Sequence, residues 1–227
     1  MKKWVKVLLM VLAVVFIAVT LLVVWQWKNI KSIYVGINES AEEIVRQRNE
    51  NQMKLVEDVD SYLDGSIRKL TPEEKEKIES GKVKVEEIYK QVFEEKYNEI
   101  RAEREENNRV SKTKDEIVSQ YMMQLYALQS EYTAKAETTI KQGAHYYEEL
   151  KKVKDKKSAR TDTITHFTPI VRNIEAECDK KVNAVIANLK KELEAIGAET
   201  DIVRTIENAY AAEKQLKLSY YANKYLK

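Results

Sequence analysis

Glycine and proline are nearly missing from this chain, with five and two in 227 residues. So few of either leaves little material for tight turns and disfavours a many-stranded fold. Five glycines spread singly also exclude a glycine-rich phosphate loop and a dinucleotide fingerprint, which need several within a few residues. One cysteine, Cys178, excludes an internal disulfide. Two histidines, His145 and His166, leave little from which to build a metal centre or a Ser-His-acid array. An excess of one charge is lacking too. Five of the 39 basic residues precede Ser32, and from there on 34 basic residues face 37 acidic ones. That balance supplies no general field for nucleic acid, and no nucleic-acid partner is expected.

What is present is one long apolar run. Residues 7–25 read VLLMVLAVVFIAVTLLVVW, with no charge, no Gly, no Pro and a single hydroxyl at Thr20. At about 1.5 Å per residue a helix of this length covers ~28 Å, the hydrocarbon thickness of a bilayer. Fourteen of its first eighteen residues are Val, Leu, Ile or Phe. At roughly 0.3–0.6 kcal/mol each they favour insertion by about 4–8 kcal/mol. Trp4 lies before the run and Trp25 and Trp27 close it, where headgroup regions call for indoles. Val7 and Phe16 stand within it. The run exceeds the ~7–15 residues of a cleaved signal core, and no small-x-small site follows it. It is therefore expected to be an uncleaved signal anchor over residues 7–27, and the membrane the first partner. Lys2, Lys3, Lys6 and the terminal amine outweigh Lys28 and Lys31. The positive-inside rule then places residues 1–6 in the cytoplasm as a short basic tail and the remainder outside. The reverse orientation would make a cytoplasmic, membrane-tethered rod.

Beyond the anchor the composition favours long amphipathic helices. Residues 28–64 can continue the membrane helix, and residues 28–70 are expected to form a juxtamembrane stalk. Thr71-Pro72-Glu73-Glu74 and Thr113-Lys114-Asp115-Glu116 are capping boxes that open helices. The first is short, ending at Ser80-Gly81. Another helix spans residues 85–108. A long one runs from 114 to about 155, with Gly143 as a potential kink. Residues 158–168, rich in Thr and Ser, read as a loop, and Thr168-Pro169 as the cap and first residue of the next helix. Its apolar positions Ile174, Cys178, Val182, Val185, Leu189 and Leu193 recur at three-four spacing, the pattern of a coiled-coil seam. Gly197 stops it, and Thr200 or Asp201 caps a last helix. Short connections make neighbours antiparallel. The expected fold is all-α: one N-terminal transmembrane helix, then an elongated antiparallel helical bundle or coiled coil over residues 71–227.

Chemistry-bearing constellations are few. His145 and Glu149 share a helix face at ligand spacing, but a solvated surface pair explains them better than a metal. Cys178 lies on the apolar seam and reads as a small buried hydrophobe. Its sharper reading is a symmetric disulfide across a homodimer outside the cell. Lys151, Lys152, Lys154, Lys156 and Lys157 form a basic run that suits the negative end of a helix, or an anion such as lipid or wall polymer. Several of the thirteen tyrosines fall on apolar stripes and serve packing. No catalytic residues, cofactor, metal or small-molecule substrate is indicated, and the chain is not expected to be an enzyme. A short basic start, one span and long antiparallel helices resemble the layout of LemA-like envelope proteins and of spectrin-like septation-ring rods. That resemblance is one of architecture and carries no residue roles. The expectation is a structural or protein-interaction module at a bacterial cell envelope. Its contacts are with protein partners or a second copy through the helix seams, or with envelope polymer or lipid.

Overall fold

The computed structural model describes residues 31–226, apart from 33, 108 and 110, and for residues 222 and 224–226 it describes only the backbone. No strand occurs among the described residues, and the chain is all-α. Residues 31–38 are helical where described. After them come α1 (Ala41–Tyr62), α2 (Pro72–Glu79), α3 (Val85–Glu106), α4 (Lys114–Leu150), α5 (Lys156–Ala195) and α6 (Asp201–Leu226). Among the described residues no helix is long and apolar enough to cross a membrane. The expected anchor, with Trp4, Val7, Phe16, Trp25 and Trp27, lies outside the described residues.

The chain divides into two compact units, which cut across the boundary expected after residue 70. One consists of residues 1–54 with 208–227, the other of residues 55–207. The second unit holds the larger core. Val59, Leu63, Val92, Phe93, Ile117, Val118, Met122, Leu189, Leu193, Ile202 and Ile206 are all nearly inaccessible to solvent. Helix starts are local. Thr71 and Glu74 close a reciprocal capping box at α2, and the Thr113 side chain accepts from the Glu116 N–H at α4.

α4 and α5 form an antiparallel hairpin of 37 and 40 residues, ~56 and ~60 Å long. The register is held along its length. Tyr121 donates to Glu192 at 2.7 Å, Lys181 pairs with Glu131 at 3.5 Å, Lys135 with Glu177 at 3.6 Å, and Tyr146 stacks on His166. α3 runs antiparallel along the first part of α4. Arg104 pairs with Glu116, the Phe93 and Tyr89 rings meet Tyr126, and Lys84 pairs with Glu137. α3 therefore begins opposite Glu137, and the hairpin beyond that point is a two-helix arm.

Three local expectations are corrected. The loop at residues 158–168 is helix, and α5 begins at Asp155 rather than Thr168. The Asp155 carboxylate accepts from the N–H groups of Lys157 and Ser158, both at 3.0 Å. The threonines behave as helix residues whose hydroxyls bond back one turn. Thr163 donates to the Ala159 carbonyl at 2.8 Å and Thr168 to that of Ile164 at 2.7 Å. Pro169 thus sits inside the helix. Its missing N–H removes one ladder bond, and the flanking turns tolerate the loss. The second correction concerns the stalk. Where described, the segment from 31 to 64 is not one helix but breaks at Glu39–Ser40. The Ser40 hydroxyl accepts from the Glu43 N–H at 3.1 Å and starts α1 afresh. The third concerns Gly143: α4 is unbroken through it, and the glycine lies flat against the Phe167 ring.

The first unit is built differently. α1 and α6 run antiparallel there: Asn51 donates to the Ala209 carbonyl at 3.2 Å, and Arg48 pairs with Glu213 at 2.7 Å. Ser32 donates to Gln215, and Asn223 reaches the carbonyls of Gly36 and Glu39. Residues 31–38 therefore lean back along α6 after a sharp bend. Ile44 is fully buried, and Ser32, Gln52, Glu213 and Ser219 are buried in the same unit, so its interior includes much polar surface.

Candidate interaction surface

The arm of the α4–α5 hairpin holds both groups of residues that the sequence singled out. Its end is a five-residue turn, 151–155, closed by the Asp155 cap. Tyr146 stacks on His166 at 5.0 Å, with Phe167 edge-on to both, which clamps the two helices near the turn. Gly143 faces the Phe167 ring, and a Cβ there would meet it at 3.7 Å, an ordinary contact.

The basic run surrounds the turn, and its charge is answered locally. Lys151 pairs with Glu148 at 2.8 Å and lies over the Tyr147 ring. Lys152 pairs with Glu149 at 2.6 Å, and Lys154 with Asp162 at 2.5 Å. These contacts hold the Lys151 and Lys154 ammonium groups above the usual lysine range, the hydrogen bonds to Glu148 and Asp162 being the main cause. The hydrogen bond from Lys152 keeps the Glu149 carboxyl below its usual value. Lys156 and Lys157 are exposed. Between the lysines Val153 stands 78% exposed. Glu149 is thereby engaged chiefly with Lys152, with His145 a lesser influence. No cluster of three metal-ligating side chains occurs among the described residues.

The seam on α5 splits in two. Val182, Leu189 and Leu193 are buried inside the chain, together with Ile186. Ile174, Cys178 and Val185 are half-buried. Toward the turn α5 buries no residue between Ala159 and Val182. There Ile164, Ile170 and Val171 are exposed at 53%, 37% and 48%. Ile164, Phe167, Val171, Ile174 and Cys178 follow a three-four spacing, so they form one stripe along the arm. The stripe is uncovered because α3, which shields the neighbouring part of α4, begins only opposite Glu137. The exposed end of the stripe was missed in sequence because residues 158–168 read as a loop.

The second unit also contains an open cleft of about 730 Å³ lined by Asp58, Tyr62, Asp64, Lys114, Glu199 and Asp201, among others. Its polar groups largely serve one another. Lys114 donates to the Tyr62 carbonyl at 2.7 Å and to Asp64 at 3.2 Å, and lies over the Tyr62 ring. The Tyr62 hydroxyl donates to the Glu199 carbonyl. Burial, then the nearby Asp201 and Glu199 carboxylates, raise that hydroxyl's pKa. Such a group is a poorer base-activated nucleophile, not a better one. The cleft joins α1, α4 and α6 as a structural node.

The fold and surface define an all-α helical protein with a unit that buries much polar surface, a larger apolar-cored unit and a protruding two-helix arm. Compared with protein-family models, with curated proteins and with solved structures, the chain gives no match.

Proposed function

We propose that this chain is a single-pass, membrane-anchored helical protein that acts by contact, as an interaction or spacer module at the cell envelope. Residues 7–27 would hold it in the membrane with residues 1–6 in the cytoplasm and the helical units outside. The observation that carries the reading is the uncovered apolar stripe on the arm, from Ile164 to Cys178. Two side chains in it, Ile164 and Val171, are about half exposed, with Ile170 exposed beside them, and a two-helix arm has no other element of its own to cover them. Exposed apolar ridges of this kind mark protein-contact surfaces. The partner is a protein or a second copy of the chain. The anion-binding alternative has less support, because Lys151, Lys152 and Lys154 already pair with carboxylates.

Cross-linking in membranes tests the proposal. The full chain should yield a defined cross-linked species through the arm. The double variant Ile164→Glu, Val171→Glu should lose that species while keeping its helical signal and melting midpoint, since both side chains are exposed in the monomer. A full-length chain that gives only its monomer, in its native membrane and at native abundance, would overturn the contact role. The mass of the cross-linked species separates a homo-oligomer from a complex with another protein. Deleting residues 1–27 should move the chain to the soluble fraction.

A further inference from the structure

The first unit buries several polar groups and exposes several apolar ones. Ser32 and Gly36, one turn apart, are buried, and Ser32 donates to Gln215 while the Gly36 carbonyl accepts from Asn223. Gln52, Glu213 and Ser219 are buried at 2%, 5% and 2%. On the other side Tyr34 is 68% exposed and Ile37 43%, with Lys31 one turn before Tyr34 and also exposed. An aromatic and a branched aliphatic side chain turned outward beside a cation, over buried polar groups, is the side-chain order of a helix at a lipid headgroup boundary.

Charge divides along the same line. Beyond the apolar run, residues 28–54 and 208–227 carry 9 basic against 5 acidic side chains, whereas residues 55–207 carry 27 against 32. One of those five acids, Glu213, is already paired with Arg48 at 2.7 Å. α6 adds Lys214 and Lys217, half-buried like Tyr210, Tyr220 and Tyr221 on the same helix. A net positive charge beyond the span matches an anionic bilayer, near which each cation adds to the attraction. The tether supplies the proximity. Tyr34 is nine residues from Trp25, the end of the apolar run, so even a fully extended connection keeps it within ~30 Å of that end.

We propose that the Tyr34–Ile37 face of this unit, with Lys31 beside it, docks on an anionic lipid surface. The inference rests on reading residues 7–25 as the membrane span. It adds that the unit next to the span lies on the bilayer instead of standing clear of it. Docking would fix the orientation of the chain at its point of emergence, which a flexible tether alone would not.

The test uses the full chain with Tyr34→Cys in a Cys178→Ser background, labelled with an environment-sensitive fluorophore. The chain is reconstituted into vesicles of phosphatidylcholine alone or mixed with phosphatidylglycerol. The expected result is blue-shifted emission, quenched by nitroxide-headgroup lipid, in the anionic vesicles. The shift should weaken at high salt and in the Lys31→Glu variant. Alkaline carbonate extraction of the same vesicles reports separately on the span. A carbonate-resistant chain whose label stays water-exposed in both lipids overturns docking and leaves the anchor standing. If carbonate releases the chain, the span reading fails. Docking then stands only if the chain still floats with anionic vesicles in a salt-sensitive way, and falls if it does not. Self-quenching of the label that is independent of lipid charge would assign the face to a second copy and also overturn the proposal.

Discussion

At the scale of single residues, the most consequential pair is Arg104–Glu116. Glu116 has no solvent exposure, and its carboxylate takes two contacts from the Arg104 guanidinium, at 3.0 and 3.2 Å. A buried carboxylate stripped of its partner costs about 3–5 kcal/mol. Arg104→Met should therefore lower the urea midpoint sharply. Combining it with Glu116→Leu should restore more than half of the loss, because the second change removes the stranded charge. Simple additivity of the two changes would show that the pair contributes little. Gly143 illustrates the opposite case. It lies mid-helix with ordinary φ, and a methyl group there would meet the Phe167 ring at normal van der Waals distance. Gly143→Ala should stabilise the protein by about 0.5–1 kcal/mol through helix propensity. A drop in melting midpoint would show that the hairpin needs a closer approach than 3.7 Å.

At the scale of elements, caps decide where helices begin, and one of them carries a pH signature. In the α2 box Glu74 accepts from Arg68 and from the Thr71 N–H. The Arg68 hydrogen bonds hold its carboxyl down at about 2, against an ordinary 4.5. A folded-state value below the unfolded one adds stability above pH 4.5, and that stability fades as pH falls from 4.5 toward 2. In Glu74→Gln the acid-side slope of stability over that window should flatten, as read from denaturant midpoints at stepped pH. An unchanged slope would assign the acid sensitivity to other carboxylates. Both helix starts, at Thr71 and Thr113, were legible to the residue because their signal is local and chemical, although only the first closes as a reciprocal box and Glu116 turns to Arg104 instead. The start of α5 was not. Asp155 caps it with Ser158 three residues on, but a Ser/Thr-rich stretch ending in Pro169 outweighed that single Asp in a reading by composition. Back-bonding hydroxyls at Thr163 and Thr168, and the tertiary support of α4, override the local preference. Asp155→Ala should cost about 1 kcal/mol and admit trypsin at Lys156 and Lys157 before the rest of the hairpin. Cleavage there at the wild-type rate would mean that the cap does not hold the turn. For the same reason the seam was only half legible. Three-four spacing finds a stripe, but it does not say that Val182, Leu189 and Leu193 are covered by the chain itself while Ile164 and Val171 are not.

At the scale of the whole molecule, the proposed anchor raises the question of which side of the membrane the helical units would occupy. The sequence argues it from four positive groups before the apolar run against two after it. The charge division between the units leaves the orientation open, since anionic lipid is present on both faces of many membranes. Protease shaving of intact cells settles it, with lysed cells as the control. The second unit supplies trypsin sites at exposed positions, Lys152, Lys156 and Lys157 among them. With residues 1–6 in the cytoplasm, trypsin should cut the arm on intact cells, and a fragment containing the apolar run should remain with the membrane. Protection until lysis would reverse the orientation and make the chain a cytoplasmic tethered rod. Cys178 could then no longer serve as a stable intermolecular disulfide. Either outcome leaves the stripe from Ile164 to Cys178 as the proposed contact surface and changes only the compartment in which a partner is sought.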